Sequence, residues 1–117
     1  MSVGEICRLL SSMDEQPDTA AHVHVAAVQQ LKNAGFHVYI EWSMPFDSRG
    51  GRIDLVAERD GEWIAIEFDR RKPREKSLQK LRAFRGGRIV ALRGASCITP
   101  NGIDAVVSIP VRIGCAD

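Results

Sequence analysis

The chain has 117 residues, of which 44% are hydrophobic and 26% are charged. This balance matches a folded globular domain better than a disordered, fibrous or membrane-spanning protein. A chain of this length buries roughly two thirds of its unfolded surface, so a core forms without disulfides or structural metals. The net charge is only +1. No apolar run approaches the ~20 residues of a membrane span, and the N-terminal residues do not match a secretory signal. We therefore expect a single cytoplasmic domain over residues 1–117 with no membrane partner.

Charge is distributed unevenly along the chain. Residues 1–69 hold 5 Lys/Arg against 12 Asp/Glu, whereas residues 70–117 hold 11 against 3. Ten of the 16 basic residues lie between Arg70 and Arg93, with Glu75 as the single acid among them. A basic segment of this kind indicates a polyanionic partner such as nucleic acid. The alternative is a solvated basic helix.

Helical patterns open the chain. Ser2 and Glu5 form the S-x-x-E pattern of a capping box, and apolar residues at helical spacing predict a short helix that ends near residue 11 or 12. Asp18 or Thr19 can cap a second helix, which Gly35 ends. We expect the inward stripe of this second helix to consist of Ala21, Val25, Val28 and Leu31.

Strand patterns occupy the middle of the chain. A period of two from His37 predicts a strand, followed by a loop over residues 43–51. Two apolar strands follow, over residues 52–57 and 63–68. The dipeptide Asp60-Gly61 between them favours a two-residue type I′ hairpin turn.

The register of this hairpin follows from its turn. With Asp60 and Gly61 as the turn residues, Asp54 lies directly opposite Glu67. Because side chains alternate along a strand, one face is predicted to carry Arg52, Asp54, Glu67 and Asp69. The other is predicted to carry Ile53, Leu55, Ala57, Ile64, Ile66 and Phe68. We expect the apolar face to be buried in the core.

The remaining chain predicts one more helix and two more strands. Pro73 suits the first turn of a helix that runs to residue 84 or 85 and ends at Gly86-Gly87. This helix has a narrow apolar stripe and is otherwise cationic. Residues 88–92 are predicted to form a strand, and residues 105–109 a last, peripheral strand.

Three acids on one face of the hairpin suggest a metal site. Asp54, Glu67 and Asp69 offer the hard oxygen ligands that suit Mg²⁺ or Mn²⁺. Such an ion can polarise a phosphodiester oxygen and lower the pKa of bound water. The alternative is a set of ordinary solvent-facing carboxylates. The opposed register, the third acid and the adjoining basic helix favour the metal site.

These segments resemble the core of the PD-(D/E)XK nuclease superfamily, in its resolvase-like and restriction-endonuclease-like branches. The resemblance covers roughly residues 19–93 and depends on the sequence GRIDLV before the hairpin and the sequence IEFD after it. It implies an α/β three-layer sandwich with a central mixed sheet of four to five strands flanked by helices. It also implies that Asp54 is the first metal-binding aspartate and that Glu67 is the acid of the (D/E)XK element, with the Phe68 carbonyl as a further ligand.

The chain departs from the family pattern at Asp69, where the family usually has lysine. That lysine is thought to orient the attacking water or to stabilise the developing phosphorane. Some members supply the cation from the following helix, where Lys76 and Lys80 lie. Asp69 itself is then available as an added metal ligand. The residues expected to contact nucleic acid are Arg70, Arg71, Lys72 and Arg74.

The first functional hypothesis is a Mg²⁺- or Mn²⁺-dependent endonuclease that hydrolyses DNA, with catalytic residues Asp54, Glu67, Asp69, Lys76 and Lys80. The second is a nuclease-fold module that binds nucleic acid without turnover. The third is an adaptor whose basic helix binds an acidic protein. A homodimer is compatible with each hypothesis. Trp42, Trp63 and Phe46 can stack on bases or serve as packing residues, and the three histidines are read as surface or core residues rather than metal ligands.

Overall fold

The computed structural model describes residues 2–44 and 51–112, which form three helices and seven strands. In chain order these are α1 (Ser2–Ser11), β1 (Gln16–Pro17), α2 (Ala20–Asn33), β2 (His37–Met44), β3 (Gly51–Arg59), β4 (Glu62–Asp69), α3 (Glu75–Ala83), β5 (Gly87–Arg93), β6 (Ala105–Ile109) and β7 (Val111–Arg112). Among the described helices, none is long and apolar enough to cross a membrane.

The fold is an α/β three-layer sandwich, as the sequence predicted. A mixed five-stranded sheet has the order β2-β3-β4-β5-β6, with β2, β3 and β4 antiparallel and β4, β5 and β6 parallel. Strands β1 and β7 form a separate two-stranded parallel ladder. The sequence patterns did not predict this ladder, because two residues per strand are too few for a period to be recognised.

Each face of the sheet packs against its own helices. Alternate residues of β4 and β5, such as Ile66 and Ala91, join α1 and α2 in one buried cluster. Their neighbours Ala65 and Val90 join Leu81 and Phe84, from α3 and its C-cap, in a second cluster. Alternate residues of these strands therefore pack in two apolar layers on opposite faces of one sheet, which explains the period of two in the sequence.

The predicted hairpin register is confirmed. Leu55 pairs with Ile66 and Arg59 pairs with Glu62, so the turn consists of Asp60 and Gly61. Both turn residues have positive φ, +55° and +81°, as a type I′ turn requires. Asp and Gly tolerate this conformation better than other residues, which is why the dipeptide predicted the turn.

One residue of the predicted apolar face was placed on the wrong side. Ile53 is buried, but it packs in the α3-side cluster, whereas Leu55 packs against α1 and α2. Strands β2 and β3 are both irregular between the pairs Ile40–Leu55 and Trp42–Ile53, and Glu41 there has φ +57°. This irregularity resets the alternation in both strands, which a strict period of two cannot anticipate.

The predicted stripe of α2 was also partly wrong. Thr19 caps the helix and Gly35 follows it with φ +92°, both as expected. Its buried residues are Val23, Ala27 and Leu31, whereas Val25 is 71% exposed. Ala21 is exposed and Val28 is partly buried. Alanine and valine occur all around this helix, so more than one apolar stripe could be drawn from the sequence.

The loop predicted over residues 43–51 lies largely outside the described residues, which resume at Gly51. Phe46, one of the three candidate base-stacking aromatics, lies outside them as well. Strand β2 continues to Met44 and β3 begins at Gly51, so the two strands extend further than predicted. Helix α3 begins at Glu75 rather than at Pro73 and ends at Ala83.

The two glycines at Gly61 and Gly86 should respond differently to alanine. A Cβ at Gly61 meets no described atom within 4 Å, so Gly61→Ala is expected to cost about 1 kcal/mol through its positive φ alone. Gly86 has φ +145°, and a Cβ there would clash with the Trp63 carbonyl oxygen. Gly86→Ala should therefore cost more than about 2 kcal/mol. Urea unfolding of both variants measures the difference, and equal losses would contradict the close approach of Gly86 to β4.

Candidate active site

The candidate site lies where strands β3 and β4 separate. Their pairing ends at Leu55 and Ile66. Before Leu55, β3 pairs only with β2, and after Ile66, β4 pairs only with β5. The separation leaves backbone groups of both strands without a ladder partner in the middle of the sheet, where unpaired polar groups are costly.

Two carboxylates bridge this separation. The Asp54 N–H donates to Glu67 Oε2 at 2.7 Å, and the Phe68 N–H donates to Asp54 Oδ2 at 2.9 Å. Each acid thus accepts a hydrogen bond from the backbone of the opposite strand. The predicted proximity of Asp54 and Glu67 is confirmed by these contacts.

Lys80 joins the two acids from helix α3. Its Nζ lies 2.8 Å from Glu67 Oε1 and donates to the Arg52 carbonyl at 2.8 Å. The side chain of Lys80 is only 12% exposed and that of Glu67 is fully buried. The contact with Oε1 has the distance of an ion pair without hydrogen-bond geometry. Of the two lysines considered from the sequence, Lys80 is the one in the site, whereas Lys76 is exposed.

Burial raises the pKa of Glu67 above its ordinary value of 4.5. The ammonium of Lys80 opposes this effect, and the nearby charge of Asp54 adds to it. A carboxyl group removed from water resists ionisation unless a counter-charge accompanies it. Glu67 is therefore a buried acid whose charge depends on Lys80.

Asp69 belongs to a different cluster. Its side chain is buried and accepts hydrogen bonds from the Arg74 N–H at 3.0 Å, from Arg74 Nε at 2.6 Å and from Ser77 Oγ at 3.1 Å. These donors belong to the first turn of α3 and its N-cap, so Asp69 anchors the start of that helix to β4. The Asp69 carboxylate also raises the pKa of the Arg74 guanidinium.

The predicted three-acid cluster is thus reduced to two acids. Across residues 2–44 and 51–112, no group of three or more His, Cys, Asp and Glu side chains lies together in a way that could hold a metal ion. Asp54 and Glu67 remain adjacent, whereas the hydrogen bonds of Asp69 direct its carboxylate to α3. The contact of Asp69 with α3 had one signal in the sequence, Ser77, a polar residue one helical turn before the buried Leu81.

The predicted nucleic-acid-binding residues divide into two groups. Arg71 binds Asp18 Oδ2 at 2.6 Å and donates to the Arg93 carbonyl, and Arg74 binds Asp69. These two guanidinium groups hold the segment between β4 and α3 in place. The other two, Arg70 and Lys72, are exposed.

A cavity of about 240 Å³ lies beside the acids at the start of α2. Its polar and charged lining residues are His24, Asp69, Arg70, Arg74 and Arg93. The imidazole of His24 lies over the ring of Phe68, with 4.4 Å between the ring centroids. Burial lowers the pKa of His24, and the charge of Asp54 opposes that shift. The three arginines bring positive charge to this cavity, part of which is balanced by Asp69, 2.6 Å from Arg74, and by Asp18, 3.5 Å from Arg93.

His24 and Arg93 were not among the predicted site residues. For Arg93 a signal was available in the sequence. Strands β4 and β5 are parallel neighbours, so their carboxyl ends, at Asp69 and Arg93, meet at one edge of the sheet. For His24 the sequence offered no distinguishing signal, because a histidine on a helix serves many purposes.

Comparisons with known proteins identify no activity. No family model matches the chain, and no curated protein matches it. Among solved structures, it is similar to a crystal structure described as a "Protein of Unknown Function AF1548", with 20% identity and a TM-score of 0.48 over 63% of this chain. The chain spans 46% of the length of that protein.

The Lys80–Glu67 pair should show strong coupling in a double-mutant cycle. Lys80→Met leaves a buried carboxylate without its counter-charge, so it is expected to destabilise the protein by about 3 kcal/mol at neutral pH. In a Glu67→Gln background the same change should cost much less, because no charge remains to be compensated. Urea unfolding of the four proteins measures the coupling. Additive losses would contradict a direct interaction.

The raised pKa of Glu67 makes a prediction about pH. The folded state holds its proton more tightly than the unfolded state, so the stabilisation is fully present below the ordinary value of 4.5 and is lost as the pH rises through the folded-state pKa. The stability of the wild type relative to Glu67→Gln should therefore fall as the pH rises above 4.5. Urea unfolding with a chelator present measures it. A relative stability that increases with pH would mean that Lys80 outweighs burial.

Proposed function

We propose that this chain is a metal-dependent phosphodiester hydrolase that acts on nucleic acid, with Asp54 and Glu67 as metal ligands and Lys80 as the catalytic cation. The observation that supports this most directly is the position of Lys80. Its ammonium group reaches from α3 to within 2.8 Å of Glu67, beside Asp54. Two acids and one lysine thus meet at the point where the sheet opens.

Lys80 compensates for the absence of a lysine at position 69. Its Nζ is oriented by the Arg52 carbonyl and by Glu67, so the charge is held in place before substrate arrives. A preorganised cation stabilises the negative charge that develops on the phosphate oxygens as water attacks phosphorus and the P–O ester bond breaks. The leaving oxygen takes up a proton, and the products are a phosphate monoester and an alcohol.

The donor set at the site suits Mg²⁺ or Mn²⁺. Mg²⁺ is commonly held by one or two carboxylates together with water and substrate phosphates, and Asp54 and Glu67 provide two adjacent carboxylates. The buried Oε1 of Glu67 contacts Lys80 Nζ at 2.8 Å and accepts no hydrogen bond from any other described residue. When bound, such an ion supplies Lewis-acid charge and lowers the pKa of water.

The surrounding cations support a phosphate-containing substrate. Arg70, Arg74 and Arg93 line the cavity beside the acids, and Lys72 and Lys76 are exposed on the same basic segment. Cations in these positions offset the repulsion between two carboxylates and a phosphodiester. We propose that the cavity binds a phosphate next to the one that is cleaved.

Cleavage of a panel of DNA substrates tests the proposal. With Mg²⁺ or Mn²⁺, the wild type should cleave at least one of duplex, flap, junction and single-stranded DNA, and the metal should raise its melting temperature. Asp54→Ala should abolish both effects. Lys80→Met should slow cleavage by about 100-fold, because the cation acts on the phosphate. Its metal-induced shift should be at least as large as that of the wild type, because the ion then supplies the counter-charge that Glu67 has lost.

Two control variants sharpen this test. Asp69→Asn keeps a hydrogen-bond acceptor for α3 and should retain the metal-induced shift, because Asp69 is placed here as a helix anchor. Lys76→Ala removes an exposed cation one helical turn before Lys80 and should slow cleavage much less than Lys80→Met. Loss of the metal-induced rise in melting temperature in Asp69→Asn would indicate that Asp69 is a metal ligand.

A nucleic-acid-binding module without turnover is the second candidate. It is favoured by the contacts that Asp54, Glu67 and Asp69 make with backbone N–H groups, which give each acid a structural role. Salt-dependent DNA binding without cleavage would support this candidate. Absence of both metal binding and DNA binding would contradict both candidates and favour a protein partner for the basic segment.

A further inference from the structure

Three aromatic side chains form an exposed cluster on the α3 side of the sheet. The ring centroids of Tyr39, Trp42 and Trp63 lie 5.2 to 5.8 Å apart. Tyr39 is 39% exposed and Trp63 is 38% exposed, whereas Trp42 packs partly against the core. We call these three residues the aromatic platform. Large exposed aromatics that contact each other are uncommon in a protein that needs them only for packing.

The irregularity of β2 and β3 described above brings the rings of this platform to one face of the sheet. Without the irregularity at Glu41, Tyr39 and Trp42 would point to opposite sides of β2. With it, both lie on the α3 side, where Tyr39 is opposite Val56 and Trp42 is opposite Ile53. A residue with positive φ in the middle of a strand carries a conformational cost, which is often retained for function.

The platform adjoins the candidate active site. Trp42 lies opposite Ile53, which is flanked in the chain by Asp54 and by Arg52, whose carbonyl binds Lys80. The platform therefore lies within one residue position of Asp54 along β3.

We propose that the aromatic platform stacks on unpaired bases, so that the substrate of the proposed hydrolase contains single-stranded nucleic acid next to the cleaved bond. This inference rests on the proposed function for the identity of the site. Base stacking on aromatic rings is tolerant of sequence and contributes about 1–3 kcal/mol per base. Paired bases in an intact duplex hide their ring faces and cannot use such a surface.

Charge favours nucleic acid over a second copy of the chain as the occupant. The platform lies on the side of the sheet that packs against the basic helix α3, and Arg85 lines a cavity together with Trp63. Cations beside exposed rings match a strand that presents phosphates and bases together. A second copy would bring the same cations against each other across a symmetric contact.

Intrinsic fluorescence provides a direct test, because Trp42 and Trp63 are the two tryptophans of the chain. In a chelator-containing buffer that prevents cleavage, a thymidine homopolymer of about 15 nucleotides should quench this fluorescence, and a blunt duplex of equal length should quench it far less. Trp63→Ala should lower affinity for the homopolymer about tenfold and leave duplex affinity unchanged. Trp63→Phe, which keeps a ring, should restore most of the loss.

The control is Ile40→Ala, which removes another exposed apolar side chain of β2 on the opposite face. It should change neither affinity. Equal affinity of wild type and Trp63→Ala for the homopolymer would overturn the proposal. A dimer in sedimentation, with tryptophan fluorescence that changes with protein concentration alone, would also overturn it, because a second copy would then cover the platform. Cleavage without a preference for single strands would support the proposed hydrolase and contradict base stacking on the platform. Binding that prefers the homopolymer, without cleavage of any substrate when metal is present, would support base stacking and contradict the hydrolase.

Discussion

The separation of β3 from β4 is the constraint on which the rest of the site depends. Two neighbouring strands that part in the middle of a sheet expose backbone groups that must find other partners. Here Asp54 and Glu67 provide them by accepting hydrogen bonds from the opposite strand. Lys80 then supplies a donor for the Arg52 carbonyl and a counter-charge for Glu67. The same three side chains therefore provide hydrogen-bond partners for the separated strands and form the proposed active site.

Because these residues also have a structural role, the buried negative charge of the site is paired with a positive charge from the protein itself. A fully buried carboxylate such as Glu67 is costly unless an opposite charge accompanies it into the interior. The lysine comes from a helix that is itself anchored by Asp69 through Arg74 and Ser77. Asp69 thus fixes the helix that carries Lys80. Two positions that look independent in the sequence belong to one structural arrangement.

The basic segment is similarly divided between structure and surface. Arg71 and Arg74 are engaged with Asp18 and Asp69, so part of the local excess of positive charge is neutralised by acids from earlier in the chain. The charge that remains for a polyanionic partner comes from exposed residues such as Lys72. A count of charges along the chain overestimates the cationic surface, because ion pairs between distant segments form only on folding.

The sequence by itself determined the hairpin register and the proximity of Asp54 and Glu67, because both follow from local rules: a period of two, and a turn dipeptide that accepts positive φ. The layered α/β fold was implied by the family resemblance of the sequence. Only the tertiary structure decided that Lys80 rather than Lys76 reaches the acids and that Asp69 serves α3. It also decided that Ile53 lies on the α3 side. Each of these depends on where strands part or switch faces, which is set by packing between segments far apart in the chain and leaves no local pattern in the sequence.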